Sequence, residues 1–214
     1  MTDDVKREDR RTARARETEE RILAVAHRSF LERGYAQTTL ADVAEAAGVA
    51  PRTVYVRFGT KAALMKRVVD VALVGDTAPV DVVNRDWFQA SLTAPTLTER
   101  IAAQAGGVAQ LMAASADIMA VAVEAAFGEP ELAAAHQAAR DATRKAIRRF
   151  WTRARRDGLL PEGCDLDWLA DTTGLLMHAD TYRLMRATLR WSPARYERWL
   201  VTTLHRSIAA SVPP

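Results

Sequence analysis

Residues 39–61, TLADVAEAAGVAPRTVYVRFGTK, limit most strongly what this chain can fold into. Apolar residues recur at helical spacing on either side of Gly48, whose missing side chain permits the left-handed backbone of a tight interhelical turn. Thr39 is a suitable N-cap for the first helix, and Pro51 suits the first position of the second. The pattern therefore predicts a helix-turn-helix, with Val54 of the second helix facing inward.

The second helix directs a mixed polar and aromatic surface outward. A short helix with such a surface is suited to probing a DNA major groove and offers little for catalysis. The outward residues are Arg52, Thr53, Tyr55, Val56 and Arg57. We therefore expect double-stranded DNA as the partner of this helix.

The same stretch resembles the TetR-type (TetR/AcrR) family of transcriptional regulators, and with the preceding helix the likeness covers residues 17–66. The matching residues are Thr39, Ala44, Gly48, Val49, Thr53, Val54, Tyr55, Val56, Arg57, Phe58, Lys61 and Leu64. The resemblance implies an all-α protein with an N-terminal three-helix DNA-binding domain and a larger helical bundle for ligand binding and dimerisation. It also implies a repressor that leaves a palindromic operator when a small molecule binds.

The resemblance assigns roles within the predicted DNA-binding set. Thr39, Tyr55 and Lys61 are expected on the phosphate backbone. Base edges are expected to meet Arg52, Thr53 and Val56, whereas Arg57 could serve either purpose. The full set is Thr38, Thr39, Pro51, Arg52, Thr53, Tyr55, Val56, Arg57 and Lys61.

Charge is concentrated toward the N-terminus. The chain has a net charge of +3, of which residues 1–67 carry +4 and the remainder −1. Phosphate binding needs locally clustered cations more than a high total charge. We interpret residues 1–16 as a basic mobile arm that lies along DNA or merely solubilises the chain, 17–66 as the DNA-binding domain, and 67–214 as the ligand-binding and dimerisation domain.

Lys61 stands in the first turn predicted for the helix after the helix-turn-helix. A cation is disfavoured there by the helix dipole, so a bound DNA phosphate would explain its presence. The alternative is a solvated surface lysine. Thr60 is the predicted cap of that helix.

The rest of the chain reads as helices, with no strand-like alternation. One apolar helix is predicted from about 97 to 127, where Gly106 and Gly107 indicate a kink or a close helix crossing. A single helix is predicted over about 165–189 and a last one over about 193–210. These two have more apolar surface than a small core absorbs, and the resemblance implies that they form a homodimer.

Aromatic and sulphur-containing side chains of the body suggest a pocket for an apolar or amphipathic effector near His178 and Tyr182. Ordinary core packing is the alternative for each of them, and a DNA-binding regulator without an effector is the alternative for the chain. The predicted lining residues are Trp87, Phe88, Met112, Met119, Phe127, Trp151, His178 and Tyr182.

Other function classes find little support. The four histidines are scattered singly over predicted helices, and no phosphate loop, metal motif or nucleophile elbow occurs. His178 and Asp180 would face different sides of one helix and so could not form a dyad by themselves. We therefore expect neither an enzyme nor a cofactor nor a metal site. The single cysteine, Cys164, excludes an internal disulfide. Without an apolar run of about 18 residues or a signal segment, we expect a cytoplasmic protein with no membrane span.

Overall fold

The computed structural model describes the backbone of residues 2–75 and 82–212, and side chains from residue 12 onward within these ranges except residue 74. The described residues form helices and a short 3₁₀ turn, Val82–Asn84, without any strand, which confirms the all-α prediction. The helices are α1 Thr2–Arg33, α2 Leu40–Ala46, α3 Pro51–Phe58, α4 Lys61–Val74, α5 Asp86–Thr93, α6 Leu97–Ala125, α7 Pro130–Arg156, α8 Leu166–Leu176, α9 Ala179–Leu189 and α10 Pro193–Ala210.

Helix α1 is longer than predicted. It begins at Thr2 and takes in most of the segment 1–16, which was expected to be a separate mobile arm. Neither glycine nor proline occurs before Gly34, so nothing in the sequence interrupts the helix. Gly34 ends it with a positive φ of 77°, as its sequence position predicts.

Helices α1 to α4 form the head, whose core lies directly beneath the helix-turn-helix. The capping box that Thr39 makes with Asp42 begins α2, and Gly48 (φ 65°) makes the turn into α3. The buried head residues are Ile22, Leu23, Val25, Ala26, Phe30, Leu40, Val43, Ala44, Ala47, Val54, Ala62, Leu64, Met65 and Val68. This core holds α3 on the surface of the head.

Head and body are joined by a shared core. Helix α4 continues through the predicted boundary at residue 67 and packs along α6. Ile118 of α6 and Leu132 of α7 complete the head cluster. A shift of α6 or α7 would therefore be felt directly by the head.

The body, helices α5 to α10, is built around α6, which packs against α5, α9 and α10. The predicted close crossing is present at Gly107, where a Cβ would lie 2.1 Å from the ring of Trp87. Only glycine leaves room for that ring.

The prediction of one helix over 165–189 is wrong, because α8 ends at Leu176 and α9 begins at Ala179. His178 lies between them in an extended conformation and caps α9. Its Nδ1 is 3.2 Å from the Asp180 carboxylate, so the expectation that these two side chains diverge is also wrong. The helical spacing on which that expectation relied does not run through residue 178.

Helix α6 qualifies the prediction about membrane spans. By length and composition alone it is apolar enough to cross a membrane, with a mean hydropathy of 1.5 over 18 residues. The central helix of a folded core has the same composition, and α6 packs against α4, α5, α9 and α10. These contacts bury part of the helix, since 39% of that 18-residue window lies inside the fold.

Candidate nucleic-acid interface

Helix α3 is set in place by its two ends and by one buried anchor. Pro51 occupies its first turn, as predicted, after an extended Ala50 that provides no side-chain cap. Val54 is completely buried in the head core. Gly59, with φ 73°, ends the helix by donating its N–H to the Tyr55 carbonyl at 2.8 Å. The remaining face of this eight-residue helix points outward.

Large apolar and aromatic side chains are exposed on the outward face, where contact with solvent alone would not favour them. Val56 is 76% exposed and Tyr55 is 54% exposed. Arg52 and Thr53 are also exposed, and together with Val56 they line one side of a groove of about 1010 Å³. The predicted base-reading residues therefore lie side by side on one accessible surface.

Arg57 lines the same groove, but its guanidinium is paired with a carboxylate of α1. Its guanidinium donates from Nε to the Glu19 carboxylate at 2.9 Å, and its Nη2 also contacts that carboxylate. Arg67 of α4 donates to the other Glu19 oxygen at 3.3 Å. Burial alone would raise the pKa of Glu19, but hydrogen bonds and charge from Arg57 and Arg67 lower it overall. No sequence pattern assigned Glu19 to this interface.

Lys61 is not a fully solvated lysine, because it is half-buried and contacts the loop after α1. Its Nζ donates to the Tyr35 carbonyl at 2.9 Å and lies 4.2 Å from the centre of the Tyr35 ring. The Tyr35 hydroxyl in turn donates to Glu129 of the body at 3.0 Å. Thr60 caps α4, as predicted, by accepting from the Ala63 N–H at 2.9 Å. Lys61 thus helps to hold the loop after α1.

Thr38 and Thr39 have separate roles, although they are neighbours. Thr39 is exposed at the start of α2, where its hydroxyl accepts from the Asp42 N–H at 3.1 Å. Thr38 is completely buried and donates to the Gly34 carbonyl at 2.9 Å. Its inclusion among the surface residues is therefore wrong, because its hydroxyl is needed to close the loop.

Most of the predicted pocket residues are packed in the body core. Trp151 is buried and donates from Nε1 to the Thr173 hydroxyl at 2.8 Å. Tyr182 stacks edge-on against Tyr196, with 5.0 Å between ring centres. The core cluster or its partly buried rim also contains Trp87, Phe88, Met112 and Met119.

Two predicted pocket residues lie elsewhere. Phe127 is 93% exposed because it follows the end of α6, so its assignment to the pocket is wrong. His178 lines a surface groove of about 540 Å³ beside Arg140 and Arg144 of α7. Among the described residues, no three His, Cys, Asp or Glu side chains are grouped to hold a metal ion.

Sequence patterns did not reveal the buried polar groups of α6. Arg100 is buried and donates to Asp157 at 2.6 Å and to the Ala94 carbonyl at 2.8 Å, yet its Nη1 has no partner among the described residues. Gln104, one helical turn further on, is 1% exposed, and its Oε1 has no partner there either. Both residues therefore retain hydrogen-bonding capacity inside the body.

Comparison with known proteins gives the same outline. Residues 22–68 match the family described as bacterial regulatory proteins, tetR family. The HTH-type transcriptional regulator TtgR from Pseudomonas putida is 47% identical over 56 residues, which are 26% of this chain and 27% of that protein. The matched region thus spans about a quarter of the curated relative.

Solved structures are similar over nearly the whole chain. A TetR-family transcriptional regulator from Mesorhizobium loti is 21% identical, with a TM-score of 0.71, covering 92% of this chain and 98% of that one. NalD from Pseudomonas aeruginosa, the secondary repressor of the MexAB-OprM multidrug efflux pump, is 18% identical, with a TM-score of 0.67 and coverages of 90% and 96%. At these identities the solved structures show only that the fold is shared. The match to the family model lies in the head. Residues 22–68 therefore carry the sequence signature of the tetR family of bacterial regulatory proteins, and the chain as a whole has the fold of solved TetR-family regulators.

Proposed function

We propose that this protein is a sequence-specific DNA-binding transcriptional regulator that acts as a homodimer on a palindromic operator. The exposed surface of α3 carries the proposal. A helix that buries Val54 and leaves Arg52, Thr53 and Val56 accessible has the form of a major-groove probe. In this role Arg52 pairs with a guanine edge, and Val56 contacts a thymine methyl group.

Phosphate contacts in the proposed complex come from the rim of the same surface. Thr39 and Tyr55 are exposed on α2 and α3. Lys61 is half-buried against Tyr35, so it would reach a phosphate only by leaving the Tyr35 carbonyl. We therefore regard Lys61 as a contact that changes partner on DNA binding.

Two copies are needed because a helix of eight residues reaches only a few base pairs. The large apolar side chains left exposed in the body support a dimer surface on α8 and α9, within the predicted segment 165–189. These residues are Trp168, Leu175, Leu184 and Leu189. Helix α10, the predicted segment 193–210, would add its polar outer face to that surface.

Charge reversal on this surface tests the dimer. Leu175→Glu together with Leu184→Glu should convert the protein to monomers in sedimentation velocity, because two carboxylates cannot be buried unpaired. Phe127→Glu is the matched control, since Phe127 is 93% exposed on another part of the molecule. An unchanged dimer in the double variant would exclude α8 and α9 as the interface.

We further propose that a small apolar or amphipathic effector binds in the body and releases the protein, as a repressor, from DNA. Arg100 and Gln104 support this, because a buried polar atom without a partner is costly and a ligand could satisfy it. Met112, Trp151 and Tyr182 belong to the same core cluster. The effector must bind the non-binding conformation more tightly than the DNA-binding one. We propose a cytoplasmic, non-enzymatic role.

Selection from a random pool of duplex DNA tests the function directly. We expect the enriched sequences to contain an inverted repeat, whose half-sites are one helical turn apart or a multiple of it. Thermal-shift screening with apolar compounds then tests the effector, since a ligand of the folded state raises the melting temperature. A pool that shows no enrichment would contradict sequence-specific binding.

A further inference from the structure

Glu19 lies where three helices of the head meet. Its α1 carboxylate binds Arg57 of α3 through one oxygen and Arg67 of α4 through the other, at 2.9 and 3.3 Å from their respective Nε atoms. The Glu19 side chain is 16% exposed, while those of the two arginines are 35% and 31% exposed. One sheltered carboxylate therefore occupies two partly exposed guanidinium groups.

The surroundings of this cluster are basic. The groove that contains Glu19 is also lined by Arg52, Lys66 and Asp70. Lys66 is paired with Asp70 at 2.9 Å, so that carboxylate is already engaged. Because partly sheltered pairs are screened less by salt than exposed ones, the pairs made by Glu19 are less sensitive to ionic strength than fully exposed pairs.

Arg57 follows directly after Val56, at the C-terminal end of the proposed recognition helix. A guanidinium released there would pair with a phosphate of any sequence, because phosphate contacts carry no base information. Held by Glu19, the same group fastens α3 to α1. The bond thus both orients the helix and keeps a non-specific contact from forming.

We propose that Glu19 is a positioning residue that sets DNA specificity by withholding Arg57 from the phosphate backbone. The inference rests on the proposed DNA-binding function. It gives Arg57, whose role the sequence left open, a structural role in place of a DNA contact. Specificity here depends on a carboxylate that touches no DNA.

The experiment measures the affinity of Glu19→Gln for operator and for random duplex DNA over a series of salt concentrations. The amide keeps the shape of the side chain but removes its charge and one acceptor oxygen, so Arg57 loses its charged partner. Each new phosphate contact steepens the slope of log K against log salt by about 0.9. We expect the slope on random DNA to steepen by about one unit and the ratio of operator to random affinity to fall roughly tenfold.

Two further variants separate positioning from net charge and from misfolding. Glu17→Gln removes the same charge from an exposed position on the same helix, and its slope should match the wild type. Arg57→Gln alone should leave the slope on random DNA unchanged, because Arg57 touches no phosphate in the wild type. If Arg57 were a phosphate contact, this variant would flatten the slope by about 0.9.

The outcomes are distinct. A wild-type slope in Glu19→Gln, an equal change in Glu17→Gln, or a flatter slope in Arg57→Gln would each overturn the proposal. Wild-type protein that prefers no operator over random DNA would overturn the proposed function instead. Failure of this proposal would be seen in the variants, whereas failure of the proposed function would be seen in the wild-type protein. The two failures can therefore be distinguished.

Discussion

Head and body use their buried polar groups differently. In the head, the buried hydroxyl of Thr38 is hydrogen-bonded to its own loop, and Glu19 satisfies two arginines. In the body, Arg100 and Gln104 each keep a buried atom without a partner among the described residues. A satisfied network specifies one rigid arrangement, whereas an unsatisfied one favours a conformation or ligand that completes it. The head has the features of a rigid template, and the body those of a responsive element.

The difference also concerns sequence distance. The head core is assembled mainly from four helices within residues 22–68. The body core brings together residues as far apart as Phe88 and Ile208. Helix α4 joins the two cores by packing along α6. Because the cores share this contact, a change in the body is expected to reach the head.

The largest expected effect comes from the centre of the body. Trp151→Ala should lower the free energy of unfolding by about 3–5 kcal/mol, because a large buried ring is replaced by a cavity. The loss should appear in a single urea transition followed by far-UV circular dichroism, since head and body share a core. Phe127→Ala, at a position that is 93% exposed, is the control. A separate urea transition for the head, at an unchanged urea concentration, would contradict the proposed coupling of head and body.

The head should instead tolerate loss of its outer side chains. Arg52→Ala should weaken operator binding by about 1–3 kcal/mol and relax one base position. Stability should change by no more than about 0.5 kcal/mol, because Arg52 is exposed. Fluorescence titration and urea unfolding measure the two quantities, with Arg149→Ala, at an exposed position on α7, as the control. Undiminished operator binding would mean that α3 does not read bases through Arg52.

Substitution of Gln104 tests whether its unpartnered oxygen serves ligand binding or is only a defect in the packing of the body. Gln104→Met keeps the size of the side chain and removes the unpartnered oxygen, so it should stabilise the fold by roughly 1 kcal/mol. The same variant should lose most of the thermal shift produced by an effector found in the screen. Gln137→Met, on the exposed face of α7, should do neither. A stabilised variant with a full effector response would separate Gln104 from the ligand site.

The smallest expected effect is a pH dependence in the head. Burial lowers the pKa of His27 below its ordinary value of 6.5. Below about pH 6.5 the unfolded chain therefore binds a proton at this residue that the folded chain does not bind. The free energy of unfolding accordingly decreases as the pH falls through that range. Melting temperatures at pH 7.5 and 5.5 should differ less in His27→Gln than in the wild type. An equal difference would assign the dependence to other groups, including His136, whose pKa is lowered in the same direction.

Short-range signals in the sequence were sufficient to place the helix-turn-helix of the head. The caps at Thr39 and Thr60, the turn at Gly48 and the buried Val54 all lie where local spacing places them. In the body, spacing misjudged residues whose surroundings come from distant segments. Phe127 was predicted to line the pocket because it is apolar. Apolar character, however, does not indicate which residues at a helix end face solvent.

The sequence by itself determined the all-α class, the helix-turn-helix and the outward residues of α3, because these depend on helical periodicity and on turn residues a few positions apart. The tertiary structure alone decided that Glu19 binds Arg57 and Arg67, that Lys61 rests on Tyr35, and that Gln104 is buried with an unpartnered oxygen. Each of these contacts or burials depends on elements distant in sequence. Their geometry is set by how the helices pack, which no local pattern records.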